Sequence, residues 1–232
     1  MVQSVLITGI GSGLGKALAE AYLARGIRVY AIGRICPRLL QEEEHLHFFH
    51  CDLKRTDEIK EKLLPMIRGN RFDLVILNAG ILGGIKPLTQ TDIEEIEEVM
   101  RLNVWANKEL IDLIAQEAEA KQIVGISSGT AVNGSKGWGA YSLSKSALNM
   151  LLKVYAKELP HIHFSTLAPG VIHTPMVRHI IEEVDEEEYP SAKRLKEGVI
   201  QSSKEAAEKL LVTFQRLLEY ESGSFLDVRT MS

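Results

Sequence analysis

Residues 2–15 read Val-Gln-Ser-Val-Leu-Ile-Thr-Gly-Ile-Gly-Ser-Gly-Leu-Gly, a short apolar run that breaks into four glycines and continues as an amphipathic segment. An apolar run without strict alternation is the mark of a strand buried on both faces. The glycines at Gly9, Gly11, Gly13 and Gly15 let a backbone turn tightly into a helix and bring free N–H groups close to an anion. A tight strand–helix turn and a cradle for a pyrophosphate both fit this stretch.

The same alternation runs along the chain. Further short apolar runs lie at 28–32, 46–51, 74–77, 123–127, 163–168 and 224–227, after the first at 4–8. Helical patterns fill the intervals at 14–25, 57–68, 92–120, 140–159 and 203–220, and Thr91-Asp92-Ile93-Glu94 reads as a capping box for the third. Seven strands separated by helices predict a doubly wound α/β fold of Rossmann type: one domain, with a seven-stranded, mainly parallel sheet flanked by helices on both faces. No repeat, low-complexity tract or linker divides the chain.

Composition narrows the function. The 232 residues are 45% hydrophobic and 25% charged, with 27 Lys+Arg against 31 Asp+Glu. The resulting charge of -4 is too mild and mixed for a nucleic-acid partner. No stretch approaches the roughly 18 apolar residues of a membrane span. The N-terminus enters a strand at once, so no signal peptide is expected. Two cysteines, Cys36 and Cys51, make no disulfide framework, and a cytoplasmic location is expected.

Ligands of doubly wound sheets bind beyond the C-terminal strand ends. Asp52-Leu53 follows the third strand, where a carboxylate either caps the next helix or accepts from an adenine amino group. Asn78-Ala79-Gly80 follows the fourth, either as a helix-packing turn or as backbone passing close to a ligand. Ser127-Ser128 ends the fifth. Tyr141 and Lys145 then open a helix, and their i,i+4 spacing puts phenol and ammonium on one face. A free phenol titrates near ~10, and a neighbouring cation lowers that value, as an acid–base group requires.

These residues, in this order and over nearly the whole chain, resemble the short-chain dehydrogenases/reductases of the TGxxxGxG, YxxxK type. The motifs are Thr8–Gly15, Asp52, Asn78-Ala79-Gly80, Asn103, Ser128, Tyr141, Lys145 and Pro169-Gly170 with Thr174. The resemblance implies catalysis by Asn103, Ser128, Tyr141 and Lys145. Tyr141 would donate a proton to a carbonyl, Lys145 would lower its pKa, Ser128 would orient the carbonyl oxygen, and Asn103 would hold a water leading to solvent. It also implies a nicotinamide cofactor. Thr8, Gly9, Gly11, Ser12, Gly13, Leu14, Gly15, Gly33, Arg34, Asp52, Leu53, Asn78, Ala79, Gly80, Tyr141, Lys145, Pro169, Gly170, Val171 and Thr174 would hold it.

NADP(H) is expected over NAD(H), because Gly33 fills the acidic position after the second strand and Arg34 follows it. Residues 136–141, 158–160 and 222–227 are similar to the sepiapterin reductase and benzil reductase branch, whose enzymes reduce vicinal dicarbonyls. There Asp227 either contacts substrate or simply ends the last strand. The resemblance further implies a small carbonyl substrate, a substrate lid around 174–203, and a homodimer or homotetramer through segments 104–119 and 140–159. A nucleotide-binding redox sensor on the same fold is the alternative; an intact proton-donor set speaks against it. His45, His47 and His50 have no carboxylate or thiol completing a metal set, and the acidic run 182–188 reads as a solvated face.

Overall fold

The computed structural model describes residues 2–231. The sheet strands are β1 (Ser4–Thr8), β2 (Arg28–Gly33), β3 (Leu46–His50), β4 (Leu74–Leu77), β5 (Gln122–Ile126), β6 (His163–Ala168) and β7 (Ser224–Asp227). They form one sheet in the order β7-β6-β5-β4-β1-β2-β3, and every pairing is parallel. The order reverses between β1 and β4, the position where such sheets open a crevice for ligands.

Besides a single turn at Thr130–Asn133, the α-helices are α1 (Gly13–Leu23), α2 (Ile59–Ile67), α3 (Ile93–Met100), α4 (Ala106–Glu117), α5 (Gly139–Glu158), α6 (Pro175–Glu183), α7 (Pro190–Glu197) and α8 (Ser203–Arg216). Alternate residues of each strand face opposite layers. Leu6, Val75 and Leu77 pack with Leu63 of α2, Leu110 and Ile114 of α4, and Leu148 and Leu152 of α5. Val5, Ile7 and Ile76 pack with Leu18 of α1 and Leu210 and Phe214 of α8. Burial on both faces explains why the strands read as unbroken apolar runs. No helix among the described residues is long and apolar enough to cross a membrane.

Two local expectations fail. The helix expected over 92–120 is interrupted by a π turn, Arg101–Trp105, joining α3 to α4. The capping box at Thr91 is not formed, because the Thr91 hydroxyl donates to the Pro87 carbonyl at 3.1 Å and Asp92 becomes the N-cap without a side-chain hydrogen bond. The capping box of this fold stands at α8, where the Ser202 hydroxyl accepts from Glu205 N and the Glu205 carboxylate accepts from Ser202 N.

Candidate active site

All seven strands deliver their C-terminal ends to one edge. The turn after β1 is fixed by close backbone packing. Gly9 has φ +77°, and a Cβ there would lie 3.0 Å from Ala79 Cα. A Cβ on Gly15 would stand 2.2 Å from the Gly9 carbonyl oxygen, so the first turn of α1 approaches the strand end as only glycine permits. The Thr8 hydroxyl accepts from Asn78 N at 2.9 Å and Ala79 N at 3.0 Å, tying the turns after β1 and β4 together. At the start of α1 the Ser12 side chain makes no capping hydrogen bond and no acid stands in the first turn. These N-terminal amides are therefore available to an anion, which is the fit a pyrophosphate requires.

A cleft of about 890 Å³ runs along this edge. Its walls include Gly9, Gly11, Ser12, Gly13, Leu14, Gly15, Gly33, Arg34, Asp52, Leu53, Asn78, Ala79, Gly80, Ser128, Tyr141, Lys145, Pro169, Gly170, Val171 and Thr174. Of the residues assigned from the sequence to catalysis or cofactor binding, Thr8 and Asn103 alone are withheld from it, each 0% exposed. Thr8 is spent on the tie between turns.

Asn103 sits in the π turn, which turns its amide inward beneath residues 80–81. Its Oδ1 accepts from Ile81 N at 2.9 Å, and its Nδ2 donates to Ile81 O and to Ser144 Oγ, both at 2.9 Å. Its backbone carbonyl accepts from Asn107 Nδ2 at 2.8 Å. Through these bonds the Asn103 side chain, expected to hold a water, braces the loop at residue 81. π turns are rare and concentrate at functional sites, and this one splices the brace into a helix.

Lys145 is buried, with Nζ donating to Ile126 O at 2.7 Å and lying 5.5 Å from the Tyr141 ring centroid. Burial pulls its ammonium down to about 8. Burial also pushes the Tyr141 phenol up to about 12, against the opposing pull of its hydrogen bond with Ser128. The sequence reading expected Lys145 to lower the phenol. The ammonium donates to a backbone carbonyl and lies over the ring face, and burial is the larger influence on the phenol. The phenol is accordingly neutral at pH 7.

Further residues shape the cleft, of which Arg194 and Arg229 were not singled out in the sequence. Leu82 and Trp138 join Ile180 of α6 and Tyr189 and Ala192 beside and on α7 in a separate apolar cluster roofing one end. Asn133, Arg194 and Arg229 supply polar groups there. Asp227 ends β7 and does not line the cleft; both its oxygens accept from Arg229.

The short chain dehydrogenase family model matches residues 3–185 of the chain. This protein belongs to that family. It is an NAD(P)-dependent oxidoreductase. A benzil reductase ((S)-benzoin forming) of Bacillus subtilis is 28% identical over 98% of this chain and 99% of its own length. A benzil reductase ((S)-benzoin forming) of Saccharomyces cerevisiae is 31% identical over 78% of this chain and 76% of its own. Among solved structures, a short chain dehydrogenase family protein from Francisella tularensis superposes with TM-score 0.82 at 26% identity, covering 98% of this chain and 97% of that one.

Proposed function

We propose that the protein reduces the carbonyl of a small ketone or vicinal dicarbonyl to an alcohol, using NADPH in preference to NADH and Tyr141 as proton donor. One observation carries this reading: the neutral phenol, the Ser128 hydroxyl and the Lys145 ammonium share a cleft with the glycine turn and Arg34. The similarity to two benzil reductases supports a dicarbonyl as the substrate class.

When bound, a dihydronicotinamide would supply a hydride to the carbonyl carbon. The amides from Gly9 to Gly15 would hold its pyrophosphate at the N-terminus of α1. Asp52 and Leu53 would hold the adenine, and Asn78, Ala79 and Gly80 would support the neighbouring ribose. Pro169, Gly170, Val171 and Thr174 would hold the carboxamide end. Tyr141 gives its proton to the carbonyl oxygen, and Ser128 donates to the same oxygen and orients it. Lys145 stabilises the phenolate that remains. Asn103 is a positioning residue that braces residue 81. Helices α6 and α7 act as the lid over the substrate, seated on Trp138 and Leu82.

For the cofactor, Arg34 is exposed and makes no hydrogen bond or ion pair among the described residues, while the neighbouring Lys54 is engaged by Glu98. A free guanidinium beside Gly33 suits a 2′-phosphate, which it can grip with two parallel hydrogen bonds. Arg34→Asp is expected to move the ratio of NADPH to NADH efficiency toward NADH by at least about tenfold, equivalent to ~1.4 kcal/mol. A ratio unmoved in steady-state assays counts against the assignment.

The chain is proposed to act as a homodimer or homotetramer in the cytoplasm, with no nucleic-acid or membrane partner. Trp105, Leu143, Met150 and Val154, 44–59% exposed, leave apolar surface on the π turn and α5. Light scattering at micromolar concentration is expected to give twice or four times the 25.8 kDa of the chain; a monomer refutes this.

A further inference from the structure

The substrate end of the cleft has a sign. The single carboxylate among the described cleft-lining residues is Asp52, which stands beside Leu53 near Gly33 and Arg34. Arg194 and Arg229 also line the cleft, and Lys136 lies over the Tyr189 ring of the roof. Asp227 does not line the cleft and is held below the ordinary carboxylate range by Arg229, onto which it is turned, while Glu188 and Asp185 act on Tyr189 of the roof.

Arg229 is fixed rather than free. Its Nε donates to Asp227 Oδ1 at 2.8 Å, its Nη2 donates to Oδ2 at 2.5 Å, and its backbone N donates to Oδ1 at 3.0 Å. A guanidinium has five N–H groups. Asp227 uses two of them, leaving one on Nη2 and both on Nη1. Nη2 lies 3.1 Å from where a Cβ on Gly129 would stand, so the fork rides over the residue that follows Ser128. The absent side chain makes room for it, and the Asn133 amide lies on the same rim.

On the reading that Ser128 and Tyr141 hold the reacting carbonyl oxygen, we propose that Arg229 grips a carboxylate carried next to that carbonyl, so that the substrates are oxo acids. Asp227 is then a positioning residue that aims the fork, and it is unavailable to a cationic or amino-bearing substrate. Arg194, on lid helix α7, has a hydrogen bond to Ser191 at 2.8 Å and no ion pair among the described residues, and it adds a second positive charge above the same space. Bidentate guanidinium–carboxylate pairs give both affinity and orientation.

The test compares phenylglyoxylate with its methyl ester, the same ketone without the charge, and includes benzil as a neutral dicarbonyl. Wild type is expected to show kcat/KM at least tenfold higher for the acid than for the ester. In Arg229→Gln that acid-to-ester ratio is expected to fall at least tenfold, chiefly through KM, and Arg229→Lys is expected to recover part of it. Because Arg229→Gln also frees a carboxylate, the double variant Asp227→Asn, Arg229→Gln is measured as well. It is expected to remain without acid preference; a restored preference means repulsion by Asp227 caused the loss and overturns the proposal. An ester used as well as the acid by wild type also overturns it, while leaving the reductase reading intact. No turnover of acid, ester or benzil with either cofactor overturns that reading and this proposal together.

Discussion

Tyr141→Phe is expected to lower kcat for carbonyl reduction by about 10²–10⁴-fold, the usual contribution of a positioned general acid. The phenol is pushed up to about 12 by burial, so at pH 7 it is fully protonated and available as a donor. Ser128 Oγ accepts from Thr130 N and Thr130 Oγ1, both at 3.3 Å, and its own O–H orients the substrate oxygen rather than supplying the proton. Only an oxygen is removed. The ring keeps its edge contact with Trp138, centroids 6.4 Å apart, so the fold and the roof over the cleft are retained. Stopped-flow and steady-state NADPH oxidation, with circular dichroism as the folding control, separate lost chemistry from lost structure. A variant within threefold of wild type would remove Tyr141 from the mechanism.

The sheet was legible because its physics is local. Val5, Leu6 and Ile7 are each 0% exposed, so buried parallel strands announce themselves as unbroken apolar runs and their boundaries fall within a residue or so. The glycine turn was legible because Gly9 and Gly15 meet backbone, where no side chain fits. What escaped depended on partners far along the chain. The π turn at Asn103 serves contacts with Ile81 and Ser144, 22 and 41 residues away, and leaves no periodicity of its own. Helix α7 buries only Ser191 and Ala192, too little apolar surface to show a stripe. The motif Tyr141–Lys145 gave the pair but not its electrostatics, since desolvation is a property of the packed cleft. Asp227 was visible as a strand-ending acid; that Arg229 occupies it required the turn Asp227–Thr230 to be seen, where Thr230 N donates to Asp227 O at 2.9 Å.

Lys145 sets the second large effect, and its sign follows from its burial. Its ammonium has fallen from the ordinary 10.5 to about 8, because a 4% exposed charge loses its hydration. The charged form therefore predominates at pH 7 and disappears as pH rises through about 8. When Tyr141 gives up its proton, the phenolate forms with this cation near its ring. With the ammonium 5.5 Å from the ring centroid the phenolate forms beside a cation, and a contribution of about 10²-fold in rate is expected. Carbonyl reduction is expected to hold level from about pH 6 to 7.5 and to fall above about 8. Stability runs the other way: between the folded value near 8 and the unfolded value near 10.5, the unfolded chain binds the extra proton, so this group's contribution improves as pH rises. Activity and stability should therefore diverge on the alkaline side. Lys145→Met is expected to lose about 10²-fold in kcat and to erase the falling limb near pH 8, while circular dichroism reports a folded protein. A profile in Lys145→Met that still breaks near pH 8 would assign that titration to another group and leave the phenolate without its cation.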